Sequence, residues 1–336
     1  MAYPTVNYIG NKEKLVDWIV SLIPSDAKSF FDAFAGGSSV AYAAKEKGLQ
    51  VFANDILQIN YLIALALIEN SEVRLSNSDV DNIFQGGSFN GFMYENFSNV
   101  FYFPEECSEL DNIHRNICAL EDNNKKAIAW TLIRRAMVRK MPYSRFTIKW
   151  DKIKQLRDEE YSYRIYKRRR HYHNQSFEFH FRDNLVDYNQ AIFDNGKENK
   201  AFNLDIYDAI NCVDADVIYL DPPYAGTMND YFGFYGLLDA YIKNKKVEPF
   251  NNNFIDVKTI VEQFDELFSH LSKYKYWMIS YNSRSKPSKE EMLAILSKYS
   301  TDIEVHEMPH TYKVTGKEKK QKDVEFLFIV KNEKQS

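Results

Sequence analysis

The sequence predicts an α/β fold with a parallel sheet and a largely helical insertion. Two apolar runs, residues 29–34 and 217–220, have the composition of buried strands. The first leads into a glycine turn, the second leads into Asp221, and a segment rich in Lys and Arg separates them. Because open α/β sheets bind ligands at the carboxyl ends of their strands, we expect both strand ends to form one site.

The first strand end carries a glycine turn. Residues 35–39 read Ala-Gly-Gly-Ser-Ser, and a helix is predicted over residues 40–47. Glycine lets the backbone approach a ligand closely, and a helix N-terminus offers unpaired N–H groups. A second predicted strand, residues 50–53, ends at Asn54 and Asp55, where a Rossmann-like unit places its ribose-binding acid. The spacing of a dinucleotide fingerprint and the lysine of a P-loop are both missing.

The second strand end reads Asp221-Pro222-Pro223-Tyr224. These groups suit an amino group on a flat ring, because the Asp221 carboxylate and the first prolyl carbonyl can each accept one N–H. The Tyr224 ring can stack on the same flat molecule. A strand followed by a structural Pro-rich turn is the alternative explanation.

A third motif precedes both strands. Tyr8-Ile-Gly-Asn-Lys12 leads into a predicted amphipathic helix. Its apolar face is formed by Leu15, Trp18, Ile19 and Leu22. Taken alone, the motif is equally typical of a helix cap.

In this order, the three motifs resemble those of the Dam-type N6-adenine DNA methyltransferases, the D12 class or α group. The resemblance implies a Rossmann-like, S-adenosylmethionine-dependent fold. It implies that catalysis depends on Asp221, Pro222, Pro223 and Tyr224, and that Lys12 pairs with the carboxylate of the cofactor. The implied cofactor-binding residues are Tyr8, Lys12, Asp32, Phe34, Ala35, Gly36, Gly37, Ser38, Ser39, Asp55, Ile56, Asp205 and Asp221. Related enzymes often carry glycine at the position of Ser38, and Asp205 is equally well explained as a helix N-cap.

The resemblance also predicts the domain boundaries. Residues 1–75 and 200–336 are expected to form the catalytic domain, and residues 76–199 the DNA target-recognition domain. Within the insertion we expect a loop-rich segment at residues 76–120, a helix over residues 125–138 and β-prone chain after the break at Met141-Pro142. Residues 224–246 are expected to form a loop beside the active site.

The charge distribution favours nucleic acid as the partner. The whole chain has a formal net charge of −4, but residues 125–182 hold 17 Lys and Arg against five Asp and Glu. This local charge of +12 leaves −16 for the rest of the chain, and phosphate binding requires only a local basic surface. The predicted DNA-binding residues are Arg134, Arg135, Arg139, Lys140, Arg145, Lys149, Arg168, Arg169 and Arg170. The alternative is a solvated helix face.

Composition limits the cellular setting. The three cysteines are scattered, without the spacing of a disulfide framework or zinc site, which is consistent with a reducing cytoplasm and with no bound metal. No apolar run reaches membrane length, so no membrane partner is expected. A bacterial or phage enzyme acting in the cytoplasm fits these features.

The sequence therefore predicts methyl transfer from S-adenosylmethionine to adenine N6 in double-stranded DNA after base flipping. A role in a restriction-modification system, with a cognate restriction endonuclease acting on the same site, fits the long insertion. The alternatives are an N4-cytosine methyltransferase, an RNA or protein-glutamine methyltransferase and a non-catalytic cofactor-binding DNA-recognition subunit. The recognised DNA sequence and the oligomeric state cannot be read from these motifs.

Overall fold

The computed structural model describes residues 2–6, 11–223, 231–248, 254, 256–310 and 323–332. Its strands are β1 (Ser29–Asp32), β2 (Gln50–Asn54), β3 (Lys200–Phe202), β4 (Val217–Leu220), β5 (Tyr276–Asn282), β6 (Ile303–His310) and β7 (Asp323–Lys331). Its α-helices are α1 (Val16–Ser21), α2 (Ser39–Glu46), α3 (Gln58–Ala64), α4 (Asn77–Phe84), α5 (Phe92–Phe97), α6 (Pro104–Ala119), α7 (Asn123–Lys140), α8 (Trp150–Arg157), α9 (Glu159–Tyr166), α10 (Phe177–Ala191), α11 (Ile206–Cys212), α12 (Tyr231–Lys243), α13 (Ile260–Ser269) and α14 (Lys289–Leu296).

The chain divides into two compact units. The sheet unit comprises residues 10–56, 195–230 and 250–336, and the helical unit comprises residues 1–9, 57–194 and 231–249. The predicted boundaries placed residues 1–9, 57–75 and 231–249 in the catalytic domain, whereas the compact units place them with the helices. Residues 195–199, predicted to be part of the insertion, belong to the sheet unit.

Within the described residues, the sheet unit is built on seven strands in the order β3-β2-β1-β4-β5-β7-β6. Strands β1 to β5 pair in parallel, and β7 runs antiparallel to both β5 and β6. All residues of β4 and β5 are buried, as expected for strands covered on both faces. On one face, side chains from α11, α13 and α14 pack against the sheet in a core that includes Phe31, Ile218, Phe264 and Trp277. The predicted α/β fold is confirmed.

The helical unit contains α3 to α10 and α12. Its longest helix, α7, extends the predicted helix in both directions, and Ile128, Leu132 and Met137 are fully buried. Asp239 of α12 accepts hydrogen bonds from the backbone N–H groups of Gln58 and Ile59, at 3.0 Å each. This carboxylate caps the first turn of α3, where N–H groups have no partner within the helix.

Three predictions of local structure were wrong. Residues 76–120 were expected to be loop-rich but fold largely into α4, α5 and α6. The break at Met141 and Pro142 is a single 3₁₀ turn, followed by α8 and α9 rather than by β structure. The described part of residues 224–246 contains α12 rather than a loop. In α4, α6, α8 and α12, burial of apolar side chains outweighed the local turn and β signals. Helix α9 buries only Ser162, and its N-cap is Asp158, whose carboxylate accepts from Tyr161 N at 3.0 Å.

A buried ion cluster joins three helices of the helical unit. Glu106 of α6 receives two hydrogen bonds from the Arg157 guanidinium, at 2.8 and 2.6 Å, and the Lys140 ammonium lies 2.9 Å away. Burial raises the pKa of Glu106, but the hydrogen bonds and charges of Arg157 and Lys140 outweigh burial and lower the pKa below 4.5. The carboxylate is therefore the shared anion of two buried cations.

We expect Glu106→Gln to lower the free energy of unfolding by about 3 kcal/mol at pH 7, because it removes the carboxylate that pairs with two buried cations. Since the folded-state pKa is below the unfolded value, this stabilisation is complete above about pH 4.5 and is lost as the pH falls through the folded pKa. Urea unfolding of both proteins across this range measures the difference. A difference that stays constant below pH 4 contradicts the assignment.

Candidate active site

The strand order creates one switch point in the sheet unit. Strand β1 lies between β2 and β4. The chain continues from β1 to β2 and β3 on one side of β1, and later forms β4 and β5 on its other side. The register pairs Phe31 with Ile218 and Asp32 with Tyr219, which brings the carboxyl ends of β1 and β4 to the same edge. Ligands of open α/β sheets bind at such a point. Both predicted strand-end motifs therefore lie where a ligand is expected.

The glycine turn after β1 is held by its neighbours. Ala35 N donates to the Asn54 carbonyl at 2.9 Å, and Gly36 N donates to a carboxylate oxygen of Asp55 at 2.9 Å. Gly36 and Ser38 have positive φ angles of 51° and 63°. The side chain of Ser38 therefore strains the turn, because residues with a Cβ atom rarely adopt this left-handed conformation.

Two asparagines connect the strand ends. Asn54, which is 2% exposed, donates to the Leu204 carbonyl at 3.2 Å and accepts from Leu204 N at 3.0 Å. Asn203 donates to the carbonyls of Asp55 and Ile56 at 2.8 and 3.0 Å. These bonds fix the backbone at Asp55, whose carboxylate accepts the hydrogen bond from Gly36 N. The neighbouring Ile56 side chain is 43% exposed. A half-buried acid with a fixed carboxylate fits a ribose-binding role.

Asp32 ends β1 beneath the turn and is 2% exposed. Burial raises the pKa of its carboxyl well above the ordinary value, and the nearby Asp221 and Asp55 charges raise it further. The group therefore keeps its proton to a higher pH than an exposed aspartate. Asp205 is exposed at the start of α11, where its carboxylate accepts from Tyr207 N at 3.0 Å. This is the N-cap role that the sequence left open; its cofactor contact stays a prediction.

Asp221 follows β4 and forms an ion pair with Lys12, with 3.1 Å between Oδ1 and Nζ. The Lys12 side chain is 3% exposed and also lies 3.7 Å from the Glu325 carboxylate of β7. Lys12 was expected to pair with the cofactor carboxylate, but its described ion-pair partners belong to the protein. Pro222 is buried and Pro223 half-buried. Tyr8 and Tyr224 lie outside the described residues.

Sequence reasoning missed Glu325, whose partner is Asn282. Asn282 Nδ2 donates to Glu325 Oε1 at 2.9 Å, and Glu325 is fully buried. One signal was present: Glu325 is a charged residue within the apolar run of β7. A buried carboxylate in a strand requires a partner, and this requirement points to a polar site.

The predicted DNA-binding residues fall into two groups. Arg134, Arg135 and Lys140 are buried, with exposures of 1%, 8% and 3%. Arg134 donates to the Val6 carbonyl, Arg135 donates to Asn184, and Lys140 pairs with Glu106. Their inclusion in the DNA-binding set is corrected, because their charged groups are engaged in the interior of the helical unit.

The remaining predicted cations are exposed or half-buried: Arg139, Arg145, Lys149, Arg168, Arg169 and Arg170. Several lie against tyrosine rings. The Arg170 guanidinium is 5.2 Å from the centre of Tyr143 and 5.1 Å from that of Tyr166, and Arg169 is 5.1 Å from that of Tyr163. All three tyrosines are 37–47% exposed. This Tyr–Arg surface, defined by the six cations and three tyrosines, suits phosphates and unstacked bases.

The sheet order and the paired strand ends define the class of protein, a Rossmann-like methyltransferase. The chain belongs to the D12 class of N6 adenine-specific DNA methyltransferases, whose family model matches residues 8–299. The predicted family and enzyme class are confirmed.

The chain is similar in sequence to several named methyltransferases. It is 56% identical over 330 residues to the type II methyltransferase M2.HphI of Haemophilus parahaemolyticus, covering 98% of each chain. It is 24% identical to the modification methylase StsI of Streptococcus sanguinis and to the type II methyltransferase M.FokI of Planomicrobium okeanokoites. Those alignments cover 97% and 98% of this chain but 52% and 53% of the two relatives. Every helix in the described part of the chain is too short or too polar to span a lipid bilayer.

The effect of the left-handed backbone conformation at Ser38 on stability can be tested by substitution. We expect Ser38→Gly to raise the free energy of unfolding by up to about 1 kcal/mol, because relief of the left-handed conformation exceeds the added chain entropy. Ser39→Gly is the matched control: Ser39 is the first residue of α2, so the same change lowers stability. Urea unfolding without added ligand measures both, and equal losses in the two variants contradict the strain assignment.

Proposed function

We propose that this enzyme transfers the methyl group of S-adenosylmethionine to adenine N6 in duplex DNA, and that Asp221 binds the amino group. The proposal rests on one observation: the Asp221 carboxylate follows β4 at the switch point, beside the glycine turn that follows β1. Methyl donor and amino group must meet, and the two strand ends supply neighbouring positions for them.

The residues at the switch point fit the cofactor. S-adenosylmethionine carries a sulfonium, an ammonium and a carboxylate, and is therefore a net cation. Among the side chains described above, the carboxylates of Asp55, Asp221 and Glu325 outnumber the Lys12 ammonium, which suits this charge. When bound, the cofactor supplies a methyl group on a positively charged sulfur. We assign Asp55 to the ribose hydroxyls and residues 35–39 to the methionine part, with Asp32, Phe34, Ile56 and Asp205 as further contacts.

The chemistry required of the protein is mainly positioning. The lone pair of an adenine amino group is delocalised into the ring, which makes the nitrogen a poor nucleophile. Hydrogen bonds from N6 to the Asp221 carboxylate and the Pro222 carbonyl favour a pyramidal nitrogen with its lone pair directed at the methyl group. Lys12 holds the Asp221 carboxylate in place. The target base must leave the duplex, at a cost of a few kcal/mol, and we assign Tyr224 to stacking on it.

We assign DNA contact to the Tyr–Arg surface of the helical unit. Arg168, Arg169 and Arg170 are consecutive cations that suit phosphates, although Arg169 also pairs with the Glu160 carboxylate at 2.9 Å. Arg145 and Lys149 follow the 3₁₀ turn and suit the edges of bases, since arginine can bind guanine through two hydrogen bonds.

We infer a role in restriction and modification from the names of the relatives. M2.HphI and M.FokI are named type II methyltransferases, and StsI is named a modification methylase. A cognate endonuclease would then act on the same DNA site, in the cytoplasm of a bacterial cell. Protection of methylated DNA from that endonuclease tests this role.

The direct test is transfer of a labelled methyl group from S-adenosylmethionine to duplex DNA, followed by nucleoside analysis. We expect the label in N6-methyladenine. Label in N4-methylcytosine, or no labelled DNA, overturns the proposal. Sequencing of the methylated bases then identifies the recognition site.

We expect Asp221→Ala to lower kcat by roughly 10³-fold while cofactor binding survives, because the change removes an acceptor aimed at the reacting group. Asp214→Ala is the matched control. Asp214 precedes the same strand at its other end, its side chain is 94% exposed, and the change should leave activity intact. Methyl transfer and calorimetric cofactor binding measure the two effects, and substantial turnover by Asp221→Ala contradicts the assignment.

The assignment of Arg168 to the DNA-binding surface and of Arg135 to the interior can be tested by replacing each arginine with alanine. We expect Arg168→Ala to reduce the slope of log K for DNA against log salt by about 1 without changing stability, because one phosphate contact is lost. Arg135→Ala should lower stability by about 1–3 kcal/mol, since it removes the partner of buried Asn184, and leave the salt slope unchanged. DNA-binding titrations at several salt concentrations and urea unfolding separate the two. The reverse pattern contradicts the correction.

A further inference from the structure

Glu325 is a buried charged residue in the interior of a sheet. It is fully buried in β7, within an otherwise apolar run from Val324 to Val330. Placing a carboxylate in such a position costs folding free energy unless it is paired and hydrogen-bonded. An apolar side chain would satisfy packing here at lower cost, so the residue requires another explanation.

The position of Glu325 is set by strand pairing. In the antiparallel register of β5 and β7, Asn282 lies directly opposite Glu325. The Asn282 amide donates to Glu325 Oε1 at 2.9 Å, and its own oxygen accepts from Arg284 N at 2.9 Å. Because the Arg284 N–H fixes the oxygen side of the amide, the nitrogen side must face Glu325. One carboxylate oxygen is thus anchored to the sheet.

The other carboxylate oxygen faces Lys12. Glu325 Oε2 lies 3.7 Å from Lys12 Nζ, and the same ammonium lies 3.1 Å from Asp221 Oδ1. A lysine side chain is long and flexible, so one ion pair would fix it poorly. Two carboxylates, one directly after β4 and one on β7, fix the ammonium at two points. Asp221 is the partially exposed end of this chain of contacts, with a side chain 17% exposed.

We propose that Glu325, held by Asn282, is a positioning residue that fixes Lys12 and, through Lys12, the carboxylate of Asp221. This inference rests on the proposed role of Asp221 in binding the target amino group. Two carboxylates face one ammonium, so Lys12, Asp221 and Glu325 together carry an excess of negative charge. Since the amino nitrogen gains positive charge as the methyl group arrives, this excess favours the reaction.

The first test is Glu325→Gln, which keeps the shape and removes the charge. We expect kcat to fall roughly 10- to 100-fold with little change in the KM for either substrate, because Asp221 is misplaced rather than removed. Glu325→Asp keeps the charge, but its shorter side chain places the carboxylate farther from Lys12. Its kcat should therefore lie between the kcat of the wild type and that of Glu325→Gln. Glu304→Gln is the matched control, since Glu304 is an exposed residue of β6 paired with His306, and it should be unchanged.

A double-mutant cycle separates positioning from general structural damage. If Glu325 acts through Lys12, Glu325→Gln should cause no further loss of kcat in a Lys12→Ala background. Independent, multiplying losses overturn the inference, as does wild-type kcat in Glu325→Gln. Loss of cofactor binding together with turnover in Glu325→Gln would show a structural role and also overturns it. Single-turnover rates, calorimetric binding of S-adenosylmethionine and thermal unfolding provide these readouts.

The two proposals fail in different ways. Substantial turnover by Asp221→Ala refutes the assigned role of Asp221 and therefore the basis of this inference. An inactive Asp221→Ala protein together with a fully active Glu325→Gln protein refutes only the positioning role of Glu325.

Discussion

The parallel pairing of β1 with β4 is the constraint on which the site depends. It places the glycine turn and Asp221 at one edge of the sheet although nearly two hundred residues of sequence lie between them. Because side chains alternate along a strand, a shift of one residue in this register would move every side chain of β4 to the other face of the sheet and disrupt the packing on both faces. All four residues of β4 are buried, and their packing therefore fixes the position of Asp221 at the carboxyl end of the strand.

Each unit contains a buried cluster of three charges. In the sheet unit, one cation, Lys12, lies between Asp221 and Glu325; in the helical unit, one anion, Glu106, lies between Lys140 and Arg157. The helical cluster joins α6, the end of α7 and α8, and its excess charge is positive. The sheet cluster lies at the switch point with an excess of negative charge, which suits a cationic cofactor. Buried charges of this kind are expensive unless paired, so their placement specifies which elements meet.

The basic segment shows why a count of charges does not define a binding surface. Helix α7 packs against α3, α6 and α10, and neighbouring arginines on it are buried on different sides. Their guanidinium groups form hydrogen bonds inside the helical unit. In contrast, Arg169 and Arg170, which follow the helix in sequence, lie against exposed tyrosine rings. Both groups contribute equally to the net charge of the segment. Burial separates them, and burial is decided by the helices that surround α7.

The sequence by itself determined the α/β fold, the two strand-end motifs and the family, because apolar runs, glycine turns and the Asp-Pro-Pro-Tyr pattern are local features. It also predicted the position of Asp55 and the N-cap alternative for Asp205. Only the tertiary structure decided that residues 76–120 are helical, that Arg134, Arg135 and Lys140 are internal, and that Lys12 contacts Asp221 and Glu325. These features depend on contacts between segments far apart in the chain. Local patterns report which structures a segment favours, whereas burial and ion pairing depend on what the rest of the chain packs around it.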